Sequence, residues 1–396
     1  MPFGDVQKGG WEATPSAGAG ILPAEDQARE HLLSADAAIW AIVLAGGIGS
    51  RFWPLSSPTR PKQLLRLVTE LPLIAETVGR LHPVIPAERV LIVTSADIAP
   101  AIHAAIPDVP LRNMLVEPRP LGTAAALAWG AQEIFRRAGP NSLLCTLHAD
   151  LAVAFPEAFR HTMRQAAGLA AREEVMVTIG VNATRAESGF GYLVPGEALS
   201  IDAPMSNGGA CAVDRFVEKP DAAQAATLIE GGALWHSGIF VARSNVVLDC
   251  LRHRTPEISG VLDALAEGDY DRFASGVRSV SLERGLLERC DDLLVVPGDF
   301  GWDDVGTWAS LKRARELDDD GNGAIGDVHF VESSGNVVHA ERSTVAMYGV
   351  EGLLVVSLPG ITFVTTLEKA AELRPLLDAL PDQVRFPQGR AAPESR

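Results

Sequence analysis

Short, continuous apolar runs alternate with amphipathic stretches along this chain from residue 39 onward. The first run, Ile39 to Ala45, suits a strand buried on both faces of a sheet. Similar runs are Val90 to Thr94, Ser142 to Leu147 and Val175 to Val181. Helical periodicity occurs at Leu73 to Leu81, Thr123 to Arg137 and Phe155 to Ala171. This alternation predicts an α/β fold with right-handed βαβ crossovers and a Rossmann-like, mixed sheet that binds ligands at the carboxyl ends of its strands.

The second half of the chain indicates a change of architecture. A helix is predicted to start at Asp221, because Gln224 follows three residues later as in a capping box. Another, Thr307 to Leu317, ends in the acidic, glycine-broken run 318–323. Short β-rich segments then precede a predicted helix at Leu367 to Leu380. The β-rich segments are Val328–Val331, Val337–Ala340, Leu353–Ser357 and Thr362–Thr365.

These patterns divide the chain into four parts. Residues 1–36 have no sustained periodicity and are expected to form a flexible extension. The main α/β domain spans 37–317, and a small β-rich domain resembling a short β-helix spans 318–380. Residues 381–396 are expected to be a tail.

Composition and charge exclude several classes of function. Hydrophobic residues make up 47% of the chain and charged residues 21%, which is typical of a globular protein with a large core. The net charge of −16 provides no broad basic field, so a nucleic acid partner is not expected. The apolar stretch Ala37 to Ala45 is far shorter than the ~18 residues that a membrane span needs, and Met1 to Gly20 lacks a signal-peptide pattern. No membrane association is expected, and a cytoplasmic location is the default expectation.

The cysteines give no spacing support for a zinc site or a disulfide framework. Cys145, Cys211, Cys250 and Cys290 are widely scattered, and no CxxC pair occurs. We therefore predict buried or incidental thiols. The sequence leaves the oligomeric state open, with a homodimer among the alternatives.

A glycine-rich segment carries the strongest chemical signal. Leu44-Ala45-Gly46-Gly47-Ile48-Gly49-Ser50-Arg51 directly follows the first predicted strand, and Pro61-Lys62-Gln63 comes soon after. Glycines let backbone N–H groups approach a triphosphate closely, and Arg51 and Lys62 add positive charge. The segment lacks the third glycine of a dinucleotide fingerprint and the Gly-Lys-Ser/Thr of a Walker A loop. The alternative is a tight strand-to-helix turn with surface cations.

Two acidic positions are candidates for a magnesium site. Asp150 follows the predicted strand that ends at Leu147, and Asp304 precedes the last predicted helix of the main domain. Transfer of a phosphoryl or nucleotidyl group needs a divalent cation, and Mg²⁺ prefers oxygen ligands from one or two carboxylates. Taken alone, each aspartate also fits a helix cap or a turn. The neighbouring carboxylate of Asp303 is an alternative that could share the role of Asp304 as a metal ligand.

Several motifs together resemble those of mannose-1-phosphate guanylyltransferases, which belong to the sugar-phosphate nucleotidyltransferases. The likeness covers Ile39 to Leu380 and rests first on Leu44 to Arg51, Trp53-Pro54-Leu55-Ser56 and Pro61-Lys62-Gln63. Leu147-His148-Ala149-Asp150 resembles the family's Leu-Pro-Ala-Asp-His, and residues 302–306 resemble its Trp-x-Asp-Val-Gly. The resemblance places the metal carboxylates on Asp150 and Asp304. It implies that Leu44, Ala45, Gly46, Gly47, Gly49, Ser50, Arg51 and Lys62 bind the nucleotide.

The resemblance also assigns residues to the sugar phosphate and to the base. In the motif Glu218-Lys219-Pro220 it implies that Lys219 grips the sugar 1-phosphate and that Glu218 contacts a sugar hydroxyl. Gly191, Tyr192, His236 and Ser237 lie in two further motifs of the sugar side, and His236 stands where the family has asparagine. The segment that contains Glu117, Gly122 and Thr123 is expected to face the base and ribose. It has Leu121-Gly122 where bacterial guanylyltransferases usually have Arg-Asn.

The resemblance implies an enzyme that makes GDP-mannose and pyrophosphate from GTP and mannose 1-phosphate on Mg²⁺. In this scheme Asp150 and Asp304 hold the metal, Arg51 and Lys62 draw on the triphosphate, and Lys219 aligns the nucleophile. One alternative is a nucleotidyltransferase for another nucleotide or another sugar phosphate, such as glucose 1-phosphate or a heptose phosphate. Another is a catalytically silent subunit that binds nucleotide-sugars.

Overall fold

The computed structural model describes residues 39–47, 52–57, 59–199 and 209–385. The predicted extension (1–36) and residues 386–396 of the predicted tail lie outside the described residues. Apolar strands assemble into a mixed sheet of nine strands in the described part of the chain. They are β1 (Ile39–Leu44), β2 (Val90–Ser95), β3 (Met114–Glu117), β4 (Leu143–His148), β6 (Val177–Asn182), β7 (Gly191–Ala198), β8 (Cys211–Glu218), β9 (Leu234–Arg243) and β10 (Leu294–Gly298). The short strands β5 (Ala152–Val153) and β11 (Trp302–Asp303) pair with each other in antiparallel fashion.

The order of the strands in the large sheet is β3-β2-β1-β4-β9-β6-β10-β8-β7. Strands β1 to β4 are parallel, and β9 runs antiparallel to both β4 and β6. The four strands predicted from apolar runs are β1, β2, β4 and β6, and the predicted Rossmann-like, mixed α/β sheet is confirmed. Because β1, β3 and β4 are parallel, their last residues Leu44, Glu117 and His148 lie along one edge of the sheet.

Helices cover both faces of this sheet, and those predicted from helical periodicity are confirmed. The Asp221 side chain accepts a hydrogen bond of 2.8 Å from the Gln224 N–H, which confirms the predicted helix start. The helices are α1 (Leu73–Leu81), α2 (Ala99–Ala105), α3 (Thr123–Ala138), α4 (Pro156–Glu173), α5 (Ala222–Glu230), α6 (Ser244–Arg254), α7 (Leu262–Ala266), α8 (Tyr270–Gly276), α9 (Leu282–Gly285), α10 (Trp308–Ala314), α11 (Arg374–Ala379) and α12 (Asp382–Arg385). Short 3₁₀ turns include Lys62–Leu64 and Leu287–Arg289.

Helix α10 is shorter than the predicted helix Thr307 to Leu317. Thr307 caps its start, since the Thr307 hydroxyl accepts from the Ser310 N–H. It ends before Arg315, which is extended and buried. The Arg315 guanidinium donates to the carbonyls of Leu67 (2.6 Å) and Val338 (2.9 Å). These contacts stabilise the buried charge of Arg315. A helix that continued to Leu317 would direct the Arg315 side chain away from these carbonyls.

The C-terminal β-rich region is built from stacked parallel strands, as predicted. β12 (Gly323–Ile325), β14 (Val337–Ala340) and β16 (Leu353–Leu358) pair in parallel, and β17 (Ile361–Thr366) closes the sheet antiparallel to β16. β13 (Val328–Val331) pairs with β15 (Val345–Tyr348), a strand that the sequence pattern did not identify. Asn322 and Asn336 stack in successive coils, and the Asn336 amide donates to the Asn322 side-chain oxygen over 2.9 Å. This repeat is typical of a short β-helix.

The prediction of one continuous helix from Leu367 to Leu380 is wrong. A 3₁₀ turn at Lys369–Ala371 is followed by the separate helix α11 (Arg374–Ala379). Pro375 accounts for the break, because proline is tolerated only in the first turn of a helix. The first residues of the predicted tail form α12 (Asp382–Arg385), and the Trp53 indole N–H donates to the Arg385 carbonyl over 3.0 Å.

The β-rich region packs against the segment that leads to Lys62. Phe52, Trp53 and Leu55 join Leu354 and Val356 in one buried apolar cluster. The described residues fall into one compact unit. The Trp-Pro-Leu motif therefore contributes its apolar side chains to a core that anchors the loop between β1 and α1. None of the helices in the described ranges is both long enough and apolar enough to cross a lipid bilayer.

Candidate active site

The glycine loop begins where β1 ends at the carboxyl edge of the sheet. The Ala45 carbonyl accepts hydrogen bonds from the Gln63 side-chain amide (2.9 Å) and the Thr94 hydroxyl (3.1 Å). Gly46 and Gly47 follow and are exposed. Gln63 thus ties the Pro-Lys-Gln segment to the start of the loop. The predicted nucleotide-binding residues Gly49, Ser50 and Arg51 lie outside the described residues.

Lys62, Asp150 and Asp304 come together from three distant parts of the chain. The Lys62 ammonium lies 3.0 Å from the Asp150 carboxylate and donates to the Asp304 carbonyl over 2.6 Å. The Lys62 side chain is only 9% exposed, whereas the Asp150 side chain is 35% exposed. Lys62 therefore neutralises an acidic corner whose Asp150 carboxylate remains accessible.

The pKa values of the two carboxyl groups in this corner, Asp150 and Asp304, are shifted in opposite directions. Burial raises the pKa of Asp150, but the charges of Lys62 and His148 and the Lys62 hydrogen bond outweigh it, so its pKa lies below the ordinary value. Burial is also the main influence on Asp304, where it raises the pKa to about 6. The negative charges of Asp303 and Asp150 add to this rise. The positive charge of Lys62 opposes the rise but does not cancel it, so a further cation would be needed to bring the pKa of Asp304 down.

A divalent cation fits the oxygen donors of this corner. In the described ranges no cluster of three or more His, Cys, Asp or Glu side chains forms a complete metal site. Mg²⁺, however, is usually held by only one or two carboxylates, together with waters and substrate phosphates. The negative charge of Asp150 contributes to the raised pKa of Asp304, because nearby carboxylates repel each other. A bound cation would neutralise this repulsion.

Asp303 faces a different environment from its neighbour. One carboxylate oxygen lies 2.9 Å from the Arg313 guanidinium and 3.9 Å from Arg185, and the other accepts from the Val305 N–H over 2.9 Å. The Asp304 carboxylate instead accepts from the Gly306 N–H over 3.0 Å. The arginine pairs occupy Asp303, so the geometry favours Asp304 as the ligand.

The turn that presents Asp304 is strained and tightly packed. Val305 has φ 46°, in the left-handed region that non-glycine residues rarely adopt. A Cβ atom at Gly306 would lie 2.5 Å from the Asp304 carboxylate, so a larger residue there would displace this side chain. Strain of this kind is concentrated at functional sites in proteins.

On the base side, Gly122 and Thr123 are held by the segment before α9. Gly122 has φ 93°, and a Cβ atom there would lie 2.5 Å from the Val280 carbonyl. The Thr123 hydroxyl accepts from the Leu282 N–H over 2.8 Å. Both residues thus fix the start of α3 against residues 280–282. The Thr123 side chain is engaged within the protein, and its contact with a nucleotide stays a prediction.

Glu117 is the unsatisfied group of the base side. It ends β3, is 7% exposed, and its Oε1 atom has no hydrogen-bond partner within the protein. Burial raises its pKa to about 7, opposed by a hydrogen bond from the Leu121 backbone. A Cβ atom added to Gly46 would lie 3.8 Å from Glu117 Oε2, so the carboxyl group borders the glycine loop.

On the sugar side, Glu218 and Lys219 form a pair at the end of β8. The Lys219 ammonium lies 2.9 Å from the Glu218 carboxylate, and their side chains are 59% exposed for Lys219 and 8% exposed for Glu218. Lys219 has φ 49°, a left-handed conformation that directs the chain away from the strand. The pair borders a cavity of about 420 Å³, which is also lined by Ser279, Val280, Ser281 and Arg284.

Two of the predicted sugar-side residues use their side chains within the fold. The Tyr192 hydroxyl is fully buried, donates to the Glu187 carbonyl (3.0 Å) and accepts from its N–H (2.9 Å). The Ser237 hydroxyl donates to the Ile179 carbonyl over 2.7 Å. Gly191 lies against Glu218, since an added Cβ atom would be 3.1 Å from its carboxylate.

His236 is buried with an unpaired nitrogen. It is 7% exposed, its Nε2 atom has no hydrogen-bond partner within the protein, and its ring packs edge-on against Phe216. Burial lowers the pKa of His236 to about 4, with a further decrease from the charge of His148 and an opposing effect from Glu283. The imidazole is therefore neutral at physiological pH.

Comparison with known proteins identifies the family of this chain. The family model described as nucleotidyl transferase matches residues 40–321. The chain belongs to the nucleotidyl transferase family. This nucleotidyltransferase is 31% identical to a mannose-1-phosphate guanylyltransferase of Sinorhizobium fredii over 350 residues, which are 85% of this chain and 67% of the relative. It is 34% identical to the xanthan biosynthesis protein XanB of Xanthomonas campestris over 357 residues, 86% of this chain and 72% of the relative.

A solved structure supports the same assignment. A Thermus thermophilus protein described as a mannose-1-phosphate geranyltransferase superimposes with a TM-score of 0.77 and 31% identity. The superposition covers 86% of this chain and 98% of the other. The predicted resemblance to mannose-1-phosphate guanylyltransferases is confirmed, and the chain is a sugar-phosphate nucleotidyltransferase. Its substrates are a nucleoside triphosphate and a sugar phosphate, and its family generally uses a divalent metal.

The sequence interpretation of this nucleotidyltransferase missed the segment 279–288. The charge of nearby His148, with backbone and Ser281 hydrogen bonds, outweighs the effect of burial on Glu283 and lowers its pKa. The negative charge of Glu283 in turn contributes to the raised pKa of Glu218, whose main cause is burial. Ser281 caps α9 and is the one local signal in this stretch. Nothing in the spacing indicates that the segment borders the sugar side.

Proposed function

We propose that this nucleotidyltransferase transfers GMP from GTP to mannose 1-phosphate, with release of pyrophosphate. The observation that carries the guanine assignment is the buried carboxyl group of Glu117, whose Oε1 atom has no partner within the protein. Guanine offers two adjacent donors, the N1–H and the N2 amino group, which match the two oxygens of a carboxylate. Adenine and the pyrimidines of UTP and dTTP do not offer this pair of donors. The names of the relatives support mannose 1-phosphate as the acceptor.

Ionised Glu117 would bind guanine more tightly than protonated Glu117. Burial has raised its pKa to about 7, so the free enzyme loses this charge readily as the pH falls. Two N–H donors from the base would favour the charged form and replace part of the lost hydration. Gly46 lies beside the same carboxyl group, which fits a nucleotide that extends from the base side to the glycine loop.

Asp150 and Asp304 would hold Mg²⁺, which neutralises charge on the α-phosphate and on the departing pyrophosphate. Lys62 lies between the same two residues and would contribute a fixed positive charge next to the triphosphate. Its burial keeps competing water away, and its position requires no rearrangement.

Lys219 would orient the attacking phosphate oxygen of the sugar 1-phosphate. Its side chain is 59% exposed, and the ammonium has only the Glu218 carboxylate as an ion-pair partner among the described residues, so it can bind an incoming phosphate. The phosphate arrives already ionised, and in-line attack on the α-phosphorus therefore needs no strong general base. Catalysis would then consist of positioning and electrostatic stabilisation.

A substrate screen tests the proposal. Pyrophosphate release is measured for GTP, ATP, UTP and dTTP, each with mannose 1-phosphate, glucose 1-phosphate and a heptose 1-phosphate. We expect GTP with mannose 1-phosphate to exceed the other pairs in kcat/KM by at least about tenfold, or ~1.4 kcal/mol in transition-state binding. An equal or higher value with another nucleotide contradicts the guanylyl assignment, and one with another sugar phosphate contradicts the mannose assignment. Absence of turnover with every pair would favour a nucleotide-sugar-binding subunit.

A further inference from the structure

An ion pair joins the C-terminal β-rich region to the segment that carries Lys62. The Arg60 guanidinium donates two hydrogen bonds to the Glu341 carboxylate, over 2.6 and 3.2 Å. Glu341 directly follows β14, and its N–H donates to the Ser357 carbonyl of β16 over 2.8 Å. The backbone that carries the carboxylate is thus fixed to the β-helix. Two parallel bonds from one guanidinium set both the distance and the orientation of Arg60.

A buried hydrogen-bond network holds the Glu341 carboxylate in turn. Burial lowers the pKa of His339, so its ring is neutral. The Arg315 guanidinium lies 3.4 Å from Nδ1 of this ring, and because arginine only donates, Nδ1 accepts and Nε2 carries the proton. Nε2 then donates to Glu341 over 3.4 Å. Hydrogen bonds from His339 and Arg60 hold the pKa of Glu341 at about 2, although burial opposes them. The carboxylate therefore stays ionised at physiological pH.

Lys62 lies between two points of attachment. On one side a single proline separates it from Arg60, which is bonded to Glu341. On the other side the Gln63 amide donates to the Ala45 carbonyl, directly after β1, over 2.9 Å. The first attachment reaches the β-helix and the second reaches the large sheet. Both parts of the molecule therefore define where the Lys62 backbone lies.

We propose that Arg60 and Glu341 are positioning residues that hold the Lys62 ammonium where the triphosphate binds. This inference rests on the proposed role of Lys62 in nucleotidyl transfer. Without the ion pair, Gln63 would still attach the segment to the sheet, but the ammonium would be less confined. A displacement of about 1 Å at a reacting centre can cost about 100-fold in rate. Since Lys219 would bind the sugar phosphate from β8, the loss should appear in kcat rather than in the KM for the sugar phosphate.

A double-mutant cycle tests whether the two residues act as one unit. Arg60→Met, Glu341→Gln and the double variant are assayed with the substrate pair on which the wild-type chain is most active. We expect each single variant to lower kcat about tenfold, with less than about a twofold change in the KM for the sugar phosphate. The double variant should have nearly the same kcat as the single variants, because the second substitution removes no further contact. Arg60→Lys keeps the charge and one hydrogen bond, so it should recover most of kcat.

Glu133→Gln is the matched control. The Glu133 carboxylate accepts from Arg136 over 2.7 Å and from Arg137 over 2.6 Å, and it lies about 15 Å along α3 from Thr123. It belongs to neither attachment of Lys62. Glu133→Gln should lower the melting temperature about as much as Glu341→Gln does and leave kcat unchanged. Equal losses of kcat in these two variants would mean that reduced stability lowers the rate, and would overturn the proposal.

A measurement without substrate separates this proposal from the proposed function. The sequence has lysine only at residues 8, 62, 219, 312 and 369, so ¹³C-labelled lysine gives few ε-methylene NMR signals. The signal that is missing in Lys62→Met is that of Lys62. We expect this signal to shift or broaden in Arg60→Met and in Glu341→Gln, whereas the signal of Lys219 should stay unchanged.

Circular dichroism verifies that each variant is folded, and Arg60→Gln and Glu341→Asp replace any variant that is not. An unchanged Lys62 signal in both single variants would overturn the proposal. So would a double variant whose loss of kcat equals the product of the two single losses. If the wild-type chain turns over no substrate pair, the proposed function fails, and the Lys62 signal alone then decides whether the ion pair positions this lysine.

Discussion

The proposed catalytic corner, formed by Lys62, Asp150 and Asp304, and the proposed recognition surfaces, which include Glu117 and His236, differ in how their buried polar groups are bonded. In the corner, Lys62 is nearly buried and already bonded to Asp150 and to the Asp304 carbonyl. On the recognition surfaces, Glu117 and His236 are equally buried but each has an atom without a partner in the protein. Under the proposed function, the corner is assembled before substrate binds, whereas the substrate would supply the partners that Glu117 and His236 lack.

The difference has an energetic meaning. A buried polar atom without a hydrogen bond costs about 1–3 kcal/mol, which a ligand recovers when it supplies the missing partner. A ligand that lacks that partner leaves the cost in place, so unpaired groups discriminate between substrates. The preformed contacts of Lys62 should instead contribute to the rate, because they need no reorganisation during the reaction. Substitutions in the corner should therefore lower kcat, and substitutions on the recognition surfaces should raise KM.

The largest expected effect separates the adjacent carboxylates of the corner. Asp304→Asn removes the charge of a proposed metal ligand and should lower kcat by about 100-fold or more. Asp303→Asn should lower kcat by less than about tenfold, because the Asp303 carboxylate faces Arg313 and Arg185. It should instead reduce the free energy of unfolding by about 1 kcal/mol through the weakened Arg313 pair. A Mg²⁺ titration of kcat, with thermal melting of both variants, measures both effects. If Asp303→Asn is inactive and Asp304→Asn is active, the metal ligand is Asp303 rather than Asp304.

The two lysines provide the next largest contrast. Lys62→Met should lower kcat by about 100-fold and also reduce the melting temperature, because it leaves the partly buried Asp150 carboxylate without its cation. Lys219→Met should raise the KM for the sugar phosphate by about tenfold. It should lower the melting temperature less than Lys62→Met does, because burial already raises the pKa of Glu218, so this carboxyl group can take up a proton once its cation is gone. Steady-state kinetics with each substrate varied in turn distinguishes the two outcomes. The comparison fails if Lys219→Met destabilises the fold as much as Lys62→Met.

Much of the fold follows from local sequence patterns. The parallel strands β1, β2 and β4 were predictable because each is a short apolar run, and Asp221 was predictable as a cap from its spacing to Gln224. The antiparallel insertion of β9 between β4 and β6 was not, because strand order depends on long-range pairing that no local pattern encodes. The break at Pro375 had a local signal, but the apolar periodicity around it favoured a continuous helix.

The candidate site was predictable to a similar extent. Lys62, Asp150 and Asp304 were identified from motifs, and the structure brings them together. Motif resemblance could not distinguish side chains that remain available from those bonded within the fold, as the buried Tyr192 hydroxyl illustrates. Nor could it find Glu283 or Arg313, since their positions depend on how separate segments pack around the sheet. Three-dimensional contacts decide these assignments.

Glu117 should give the next effect, on the KM for GTP. Glu117→Gln removes a charged acceptor and should raise this KM about tenfold, with a smaller rise for ITP, which lacks the N2 amino group. The pKa of Glu117 is about 7, so protonation competes with guanine below that pH. For the wild-type chain, the KM for GTP should rise as the pH falls from 7 to 6 and stay constant above about 8. Initial rates across this range test the prediction. A pH-dependent rise that persists in Glu117→Gln would show that another group titrates.

His236 should give the smallest effect, and it tests whether an unpaired buried atom marks a contact with substrate. His236→Asn introduces the family's amide, which also donates and accepts hydrogen bonds, so the KM for mannose 1-phosphate should change by no more than about threefold. His236→Leu keeps the bulk but removes the polar atoms and should raise that KM up to about tenfold, the equivalent of one neutral hydrogen bond. Because the pKa of His236 is about 4, neither change should alter the pH dependence between 6 and 8. The KM for GTP is the internal control and should be unaffected in both variants. If His236→Leu binds the sugar phosphate as well as the wild-type chain does, the Nε2 atom makes no contact with the sugar, and the contrast between corner and recognition surface would then rest on Glu117 and Lys219.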